Sequence, residues 1–224
     1  MKIAITVGHS RLANGNYTSA NGIKNEYLTM KKLAPYIKKY LEQEGHKVDV
    51  IICPELKFNK STEEKNYKLN IVNKNNYDLL IELHMNAFNT TAKGTEVLYI
   101  SNKGYEFAKR IEYKLSTIFD GRGVKKRDDL YILRESKCPA ILLEICFCDN
   151  KKDCDLYDKA GDDKIAKLIA EGILNKTISS KKETTNNPLY RVVVSSYKER
   201  TNAERLLNEL REKGYPAFID VYEK

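Results

Sequence analysis

The sequence predicts an α/β fold: a mainly parallel six-stranded sheet flanked by helices, followed by a small β-α-β unit. Three observations carry this reading. Short apolar runs of strand length alternate with longer stretches of helical periodicity. The chain has 224 residues and is 42% hydrophobic, enough for one medium domain with its own core and a smaller one beside it. Near residue 176 the composition shifts, in NKTISSKKETTNNP, to a polar stretch with no apolar period. The predicted domains are therefore 1–175, a linker over 176–187, and a second unit over 188–224.

The first element is IAITV (3–7), a buried strand. The Gly-, Asn- and Ser-rich stretch 8–24 reads as a loop. Residues 25–44 read as a helix, because Met30, Leu33, Ala34, Ile37 and Leu41 recur at helical spacing. Asn25 is placed to cap it, Pro35 to kink it and Gly45 to stop it. VDVII (48–52) is the second strand, and a helix follows over about 62–74. DLLIEL (78–83) and TEVLYI (95–100) are the third and fourth strands. Residues 103–119 form an amphipathic helix with Phe107, Ile111, Leu115 and Ile118 on one stripe. LYIL (130–133) and AILLEIC (140–146) read as the last two strands, parted by a turn at Pro139, and a helix over about 162–175 closes the domain. After the linker come LYRVVVSSY as a strand, KERTNAERLLNELREKG as a helix and YPAFIDVY as a strand.

Composition narrows the function classes. The net charge is +8, from 39 basic and 31 acidic residues, with Lys predominant and dispersed. Such a surface suits a polyanionic partner, including a cell wall carrying teichoic acid. No clustered basic-aromatic surface points to nucleic acid. No run approaches the ~18 apolar residues of a membrane span, so membrane insertion is not expected. The start, MKIAITVGHS, passes directly into a strand, which predicts synthesis in the cytoplasm without a signal peptide. Five cysteines (Cys53, Cys138, Cys146, Cys148 and Cys154) make an odd set. With no signal they read as buried thiols rather than a disulfide framework.

Four residues carry the chemistry. His9 directly follows the first strand, His84 follows the third, and Glu144 lies near the end of the last. Ligands of parallel α/β sheets bind beyond the carboxyl ends of the strands, so these three converge on one edge. Glu26 opens the first helix, where the macrodipole favours an ionised carboxylate. Two imidazoles and one carboxylate make a three-ligand zinc site with an open position, leaving a second carboxylate for protons. Glu144 stands out on physical grounds, because Ile141, Leu142, Leu143 and Ile145 around it are all apolar. An unpaired carboxylate there costs several kcal/mol unless a metal, a water or a cation such as Arg134 compensates. His46, between helix and strand, reads as exposed and structural.

VGHS, NEYLTMKKLAPYIKKYLEQEGHKVDV, LLIELHMNAF and LYILRESKCPAILLEICFCDN occur in this order over residues 1–175. Together they resemble the zinc-dependent N-acetylmuramoyl-L-alanine amidases of the type-3 amidase family. The resemblance implies that His9, Glu26 and His84 bind the zinc ion and that Glu144 is the catalytic glutamate. It implies hydrolysis of the amide between N-acetylmuramic acid and the L-alanine of the stem peptide, with peptidoglycan as substrate. Arg134 is a candidate for steadying substrate or Glu144. Ser10, Met85 and Cys146 depart from residues usual in the family, and none removes a ligand.

The C-terminal stretch YRVVVSSYKERTNAERLLNELREKGYPAFI resembles half of a SPOR domain, a wall-binding module. The residues expected to meet the wall, and possible secondary wall polymers, are Tyr190, Val192, Val194, Tyr197 and Phe218. A lone half leaves unpaired strand edges, so two chains are expected to combine their halves into a homodimer. The setting expected is a phage endolysin reaching the wall by holin-mediated release. A mother-cell or autolytic amidase of a spore-former is the alternative. A zinc peptidase of other specificity and a non-catalytic wall binder are the remaining readings.

Overall fold

The computed structural model describes residues 1–179, 194–215 and 217–219, and the chain divides into two units, 1–179 and 180–224. In the first unit one sheet is built from β1 (Lys2–Val7), β2 (Lys47–Ile51), β3 (Leu79–Asn86), β4 (Thr95–Tyr99), β5 (Gly121–Lys126) and β6 (Ala140–Phe147). Its order is β2-β1-β3-β6-β4-β5. All neighbours are parallel except β4 and β6, which run antiparallel.

The strands lack alternation because both faces are covered. Ile3, Ile5, Leu79, Ile81, Ile141 and Leu143 pack with α1 (Glu26–Gln43), α3 (Asn102–Leu115) and α5 (Lys151–Leu174). Ala4, Leu80, Leu98 and Leu142 pack on the other face with Leu69 and Val72 of α2 (Ser61–Asn73) and with Ile132 and Leu133 of α4 (Tyr131–Arg134). This second face turns polar toward one end. Thr6 is the register partner of Glu82, and Glu144 is the partner of both His84 and Glu96. A row of ionisable side chains thus crosses β3, β6 and β4.

The helix α1 starts where Asn25 accepts a hydrogen bond from the Leu28 amide at 2.9 Å. It continues through Pro35 to Gln43, so the proline does not end it. Several expectations are corrected. LYIL is not a strand: Leu130 accepts from the amides of Leu133 and Arg134, and residues 131–134 form one helical turn. A four-residue apolar run fits either element, and here Ile132 and Leu133 reach the core from a helix. The sixth strand is instead GRGVKK, an edge strand whose Lys and Arg face solvent, so it carries no apolar period. The last helix of this unit begins at Lys151, not near 162, and Gly161 interrupts it with φ 74° and ψ 160°. The linker also starts later than 176. Ile178 is buried in the core, its amide donates to Glu171 at 3.1 Å, and Lys176 pairs with Glu44.

All five cysteines are free, and only Cys138 is not fully buried. His46 is half-buried, with Nδ1 3.0 Å from the N-terminal amine, and is not exposed as expected. Among the described residues no helix is long and apolar enough to cross a membrane.

In the second unit α6 (Arg200–Glu212) is the element the described residues show. No strand appears at 194–197 or 217–219, and the remainder of the two expected strands, 189–193 with 216 and 220–222, lies outside the described residues. None of its helical side chains is fully buried. Val194, Tyr197 and Phe218 are exposed, whereas Tyr190 and Val192 lie outside the described residues.

Candidate metal centre and catalytic cleft

The cluster forms where the loop after β1, the first turn of α1 and the end of β3 meet. His84 Nδ1 lies 2.8 Å from Glu26 Oε1, and His9 Nε2 lies 3.2 Å from the same oxygen. The two rings stand edge to face, 4.9 Å between centroids. One donor atom from each of the three residues falls within 4.8 Å of the others, a grouping able to hold a metal ion.

Local structure explains these positions. His9 adopts φ 66°, a left-handed conformation that costs roughly 1–3 kcal/mol in a non-glycine residue. The surrounding loop holds it there. Buried Ser10 donates through Oγ to Glu64 of α2, and Thr18 Oγ1 donates to the same carboxylate at 2.7 Å. Glu26 sits in the first turn of α1, accepting from the amides of Ala20 at 3.0 Å and Met85 at 3.2 Å. Gly8 is required by close approach: a Cβ there would lie 2.3 Å from His84 Cε1 and 2.4 Å from Nε2.

Electrostatics separate the carboxylates. Burial opposes ionisation of Glu26, yet hydrogen bonds from His84 and His9 outweigh it and hold the group well below the usual range. Burial likewise opposes charge on His84, but hydrogen bonds to Glu26 and Glu82 push it up to about 10. Glu82 is held down to about 2, because the charge of Lys68 and the bond to His84 overcome its burial. Glu96 is also lowered, against burial, by Lys125 and Arg122. Glu144 differs: burial raises it to about 7, and only His84 acts against that. Its Oε2 is sealed from solvent without a hydrogen-bond partner.

A cavity of about 270 Å3 opens beside the cluster, reaching His9, His84 and Glu82 and walled by Lys65, Tyr131 and Ile132. Arg134 is not part of the cluster: it is exposed and pairs with Glu135 at 2.8 Å.

The sequence reading missed Glu82, Lys68, Glu64 and Glu96. The signal that singled out Glu144, a carboxylate inside an apolar strand, was present at Glu82 in LLIELH and at Glu96 in TEVLY. Nothing in the polar α2 stretch marks Lys68 or Glu64 as buried.

The family described as N-acetylmuramoyl-L-alanine amidase matches residues 3–175, and the SPOR domain matches residues 162–220, beginning inside α5. Among solved structures, the catalytic domain of the CD27L endolysin targeting Clostridia Difficile is 57% identical, with a TM-score of 0.79. That match covers 80% of this chain and 99% of that one. An uncharacterised protein of Clostridium perfringens is 35% identical over 185 residues, 80% of this chain and 53% of its own length. The N-acetylmuramoyl-L-alanine amidase CwlM of Bacillus licheniformis is 28% identical over 225 residues, covering 98% of this chain and 84% of that protein. The chain spans about half the length of its Clostridium perfringens relatives, 53% and 54%.

Proposed function

The chain belongs to the N-acetylmuramoyl-L-alanine amidase family, and from that premise we propose that it hydrolyses peptidoglycan at the amide joining N-acetylmuramic acid to the L-alanine of the stem peptide. The observation that carries this reading is the convergence of His9, Glu26 and His84 beside Glu144, a half-buried residue whose Oε2 is sealed off without a hydrogen-bond partner. Two imidazole nitrogens and one carboxylate oxygen match the donor set of a catalytic zinc site with a fourth position open. These three residues would hold the ion. Bound zinc supplies Lewis acidity, polarising the amide carbonyl and acidifying water.

The side chains do the rest. Glu26 contributes the anionic donor and orients both rings. Glu144 takes the proton of the attacking water through its carboxylate and delivers it to the departing amide nitrogen. The water oxygen bonds to the carbonyl carbon, the C–N bond breaks, and the stem peptide leaves with a free L-alanine amine. The cavity beside His9 and His84 receives substrate, with Tyr131 and Ile132 as one wall. Arg134, turned to Glu135, is left at most a contact with substrate at the rim and no part in the proton transfer.

The SPOR match supports wall binding by the C-terminal unit, where Val194, Tyr197 and Phe218 are exposed. Tyr190 and Val192 also remain candidates. Pairing of two chains through this unit gives a homodimer, and sedimentation at micromolar concentration showing only monomer would end that idea. The likeness to an endolysin catalytic domain favours a phage lysin released to the wall through a holin pore. The alternative is a lytic amidase of a spore-forming host.

The decisive experiment is turbidity loss of purified walls with and without chelator, followed by mass spectrometry of the products. Whole stem peptides with a free L-alanine amine are expected. Activity that survives zinc removal would overturn the mechanism. Glu144→Ala should keep zinc and lose turnover; if it loses the metal, Glu144 is a ligand.

A further inference from the structure

We infer that Glu82 is a positioning residue for His84 and that Lys68 is the counter-ion that sustains it. The inference rests on the reading of His84 as a metal ligand. Glu82 and His84 lie two apart on β3 and therefore share a face. Glu82 Oε1 lies 3.4 Å from His84 Nε2, while Nδ1, across the ring, faces Glu26 at 2.8 Å. The two ring nitrogens are thus divided between two carboxylates. A neutral imidazole has one donor and one acceptor nitrogen. For Nδ1 to offer its lone pair to a cation, the proton must sit on Nε2, and Glu82 is the acceptor placed there.

Burial makes the arrangement hard to explain as packing. Glu82 and Lys68 are 4% and 2% exposed, and their charges meet each other inside the protein. A buried ion pair is commonly no more stable than apolar side chains of the same volume. Leu80 and Leu142 beside it show that the site accepts apolar residues. Lys68 also donates to the Val7 carbonyl at 3.1 Å, two residues before His9. One ammonium therefore ties together the ends of the two strands that present the histidines. On another side of the His84 ring, the bare Cα of Gly8 closes the space. Ring orientation is fixed from both directions.

Two double variants of the full zinc-loaded chain separate the acceptor from the charge pair. Glu82→Leu with Lys68→Met removes the acceptor; Glu82→Gln with Lys68→Met keeps a neutral one. Zinc affinity is read by chelator competition, and folding by thermal melts in chelator. The Leu pair should bind zinc about 10–100-fold more weakly than wild type, the usual cost of losing a partner behind a metal-binding histidine. The Gln pair should retain most of the affinity. Equal, wild-type affinity in both doubles would overturn the inference, as would equal losses in both, since either result makes the pair structural. Unfolding of both in chelator also makes it structural. A wild-type chain that binds no zinc defeats the metal reading itself, and this inference with it.

Discussion

Gly8→Ala isolates the geometry of the cluster from its chemistry. The substitution adds one methyl group and touches no donor atom. Gly8 does not adopt a left-handed φ, so alanine carries no backbone penalty there. The added Cβ would stand 2.3 Å from His84 Cε1, 2.4 Å from Nε2 and 2.6 Å from Nδ1. Ordinary contact between such atoms is about 3.5 Å, so ring or backbone must move by roughly 1 Å. The ring is held by Glu26 and Glu82, and the Gly8 amide is held by the Leu83 carbonyl at 2.9 Å. Neither can retreat without breaking a bond. Overpacking of this kind costs about 1–3 kcal/mol of stability, and a misplacement of about 1 Å near reacting groups costs about 10²-fold in rate. Urea unfolding, chelator competition and wall turbidity measure the three effects. Gly45→Ala is the contrast. A Cβ there meets nothing within 4 Å, but φ is +81°. It should lose about 1 kcal/mol of stability with unchanged zinc affinity and activity. Wild-type zinc affinity and turnover in Gly8→Ala would refute the claim that bare backbone at residue 8 sets the position of His84.

Two further outcomes follow from the same cluster. In chelator, burial raises Glu144 from 4.5 to about 7, so the stability due to its protonated form is complete below 4.5 and disappears as pH climbs through about 7. Glu144→Gln should therefore gain stability relative to wild type across that interval, and urea unfolding in chelator from pH 4.5 to 8 reads it; a constant difference contradicts the buried, unpaired state. Glu64→Ala leaves the buried Ser10 hydroxyl without its acceptor, at roughly 1–3 kcal/mol, and takes from Thr18 the shorter of its two acceptors. Faster amide exchange confined to residues 9–18 should accompany that loss, and unchanged exchange there would show that Glu64 does not hold the His9 loop.

What the sequence disclosed depended on what each residue reports. Burial on both faces writes itself into runs such as IAITV and AILLEIC, so the central strands were legible. Strand ends then placed His9, His84 and Glu144 on one edge without any contact being known. β5 was illegible because an edge strand of Gly, Arg and Lys buries too little to leave a pattern. The first half of α5 was hidden for a related reason. It buries Asp153, Cys154 and Tyr157 amid seven other residues before the break at Gly161. Lys68 was beyond reach altogether. Its burial follows from where α2 lands on the sheet, and nothing local in STEEKNYKLN distinguishes it from Lys65, which is exposed.

The placement of Lys68 bears on why Glu144 is suited to move protons. Three carboxylates (Glu26, Glu82 and Glu144) gather around His84, and Glu96 faces Glu144 from β4. Glu82 is paired with Lys68, Glu96 with Arg122 and Lys125, and Glu26 with the two imidazoles. Each of these three is held ionised by its own partners and lies below the usual carboxylate range. Such groups are poor proton acceptors near neutrality. Among the described residues Glu144 has no cationic side chain bonded to it, and its value lies near that of the surroundings in which it would work. A base is most effective when its pKa approaches the working pH. A metal ion at His84 would draw the value down, and the three neighbouring carboxylates would resist that fall. The pairing of its neighbours is therefore what singles out Glu144: every other carboxylate in the row has its charge committed, and this one can exchange a proton without breaking an ion pair.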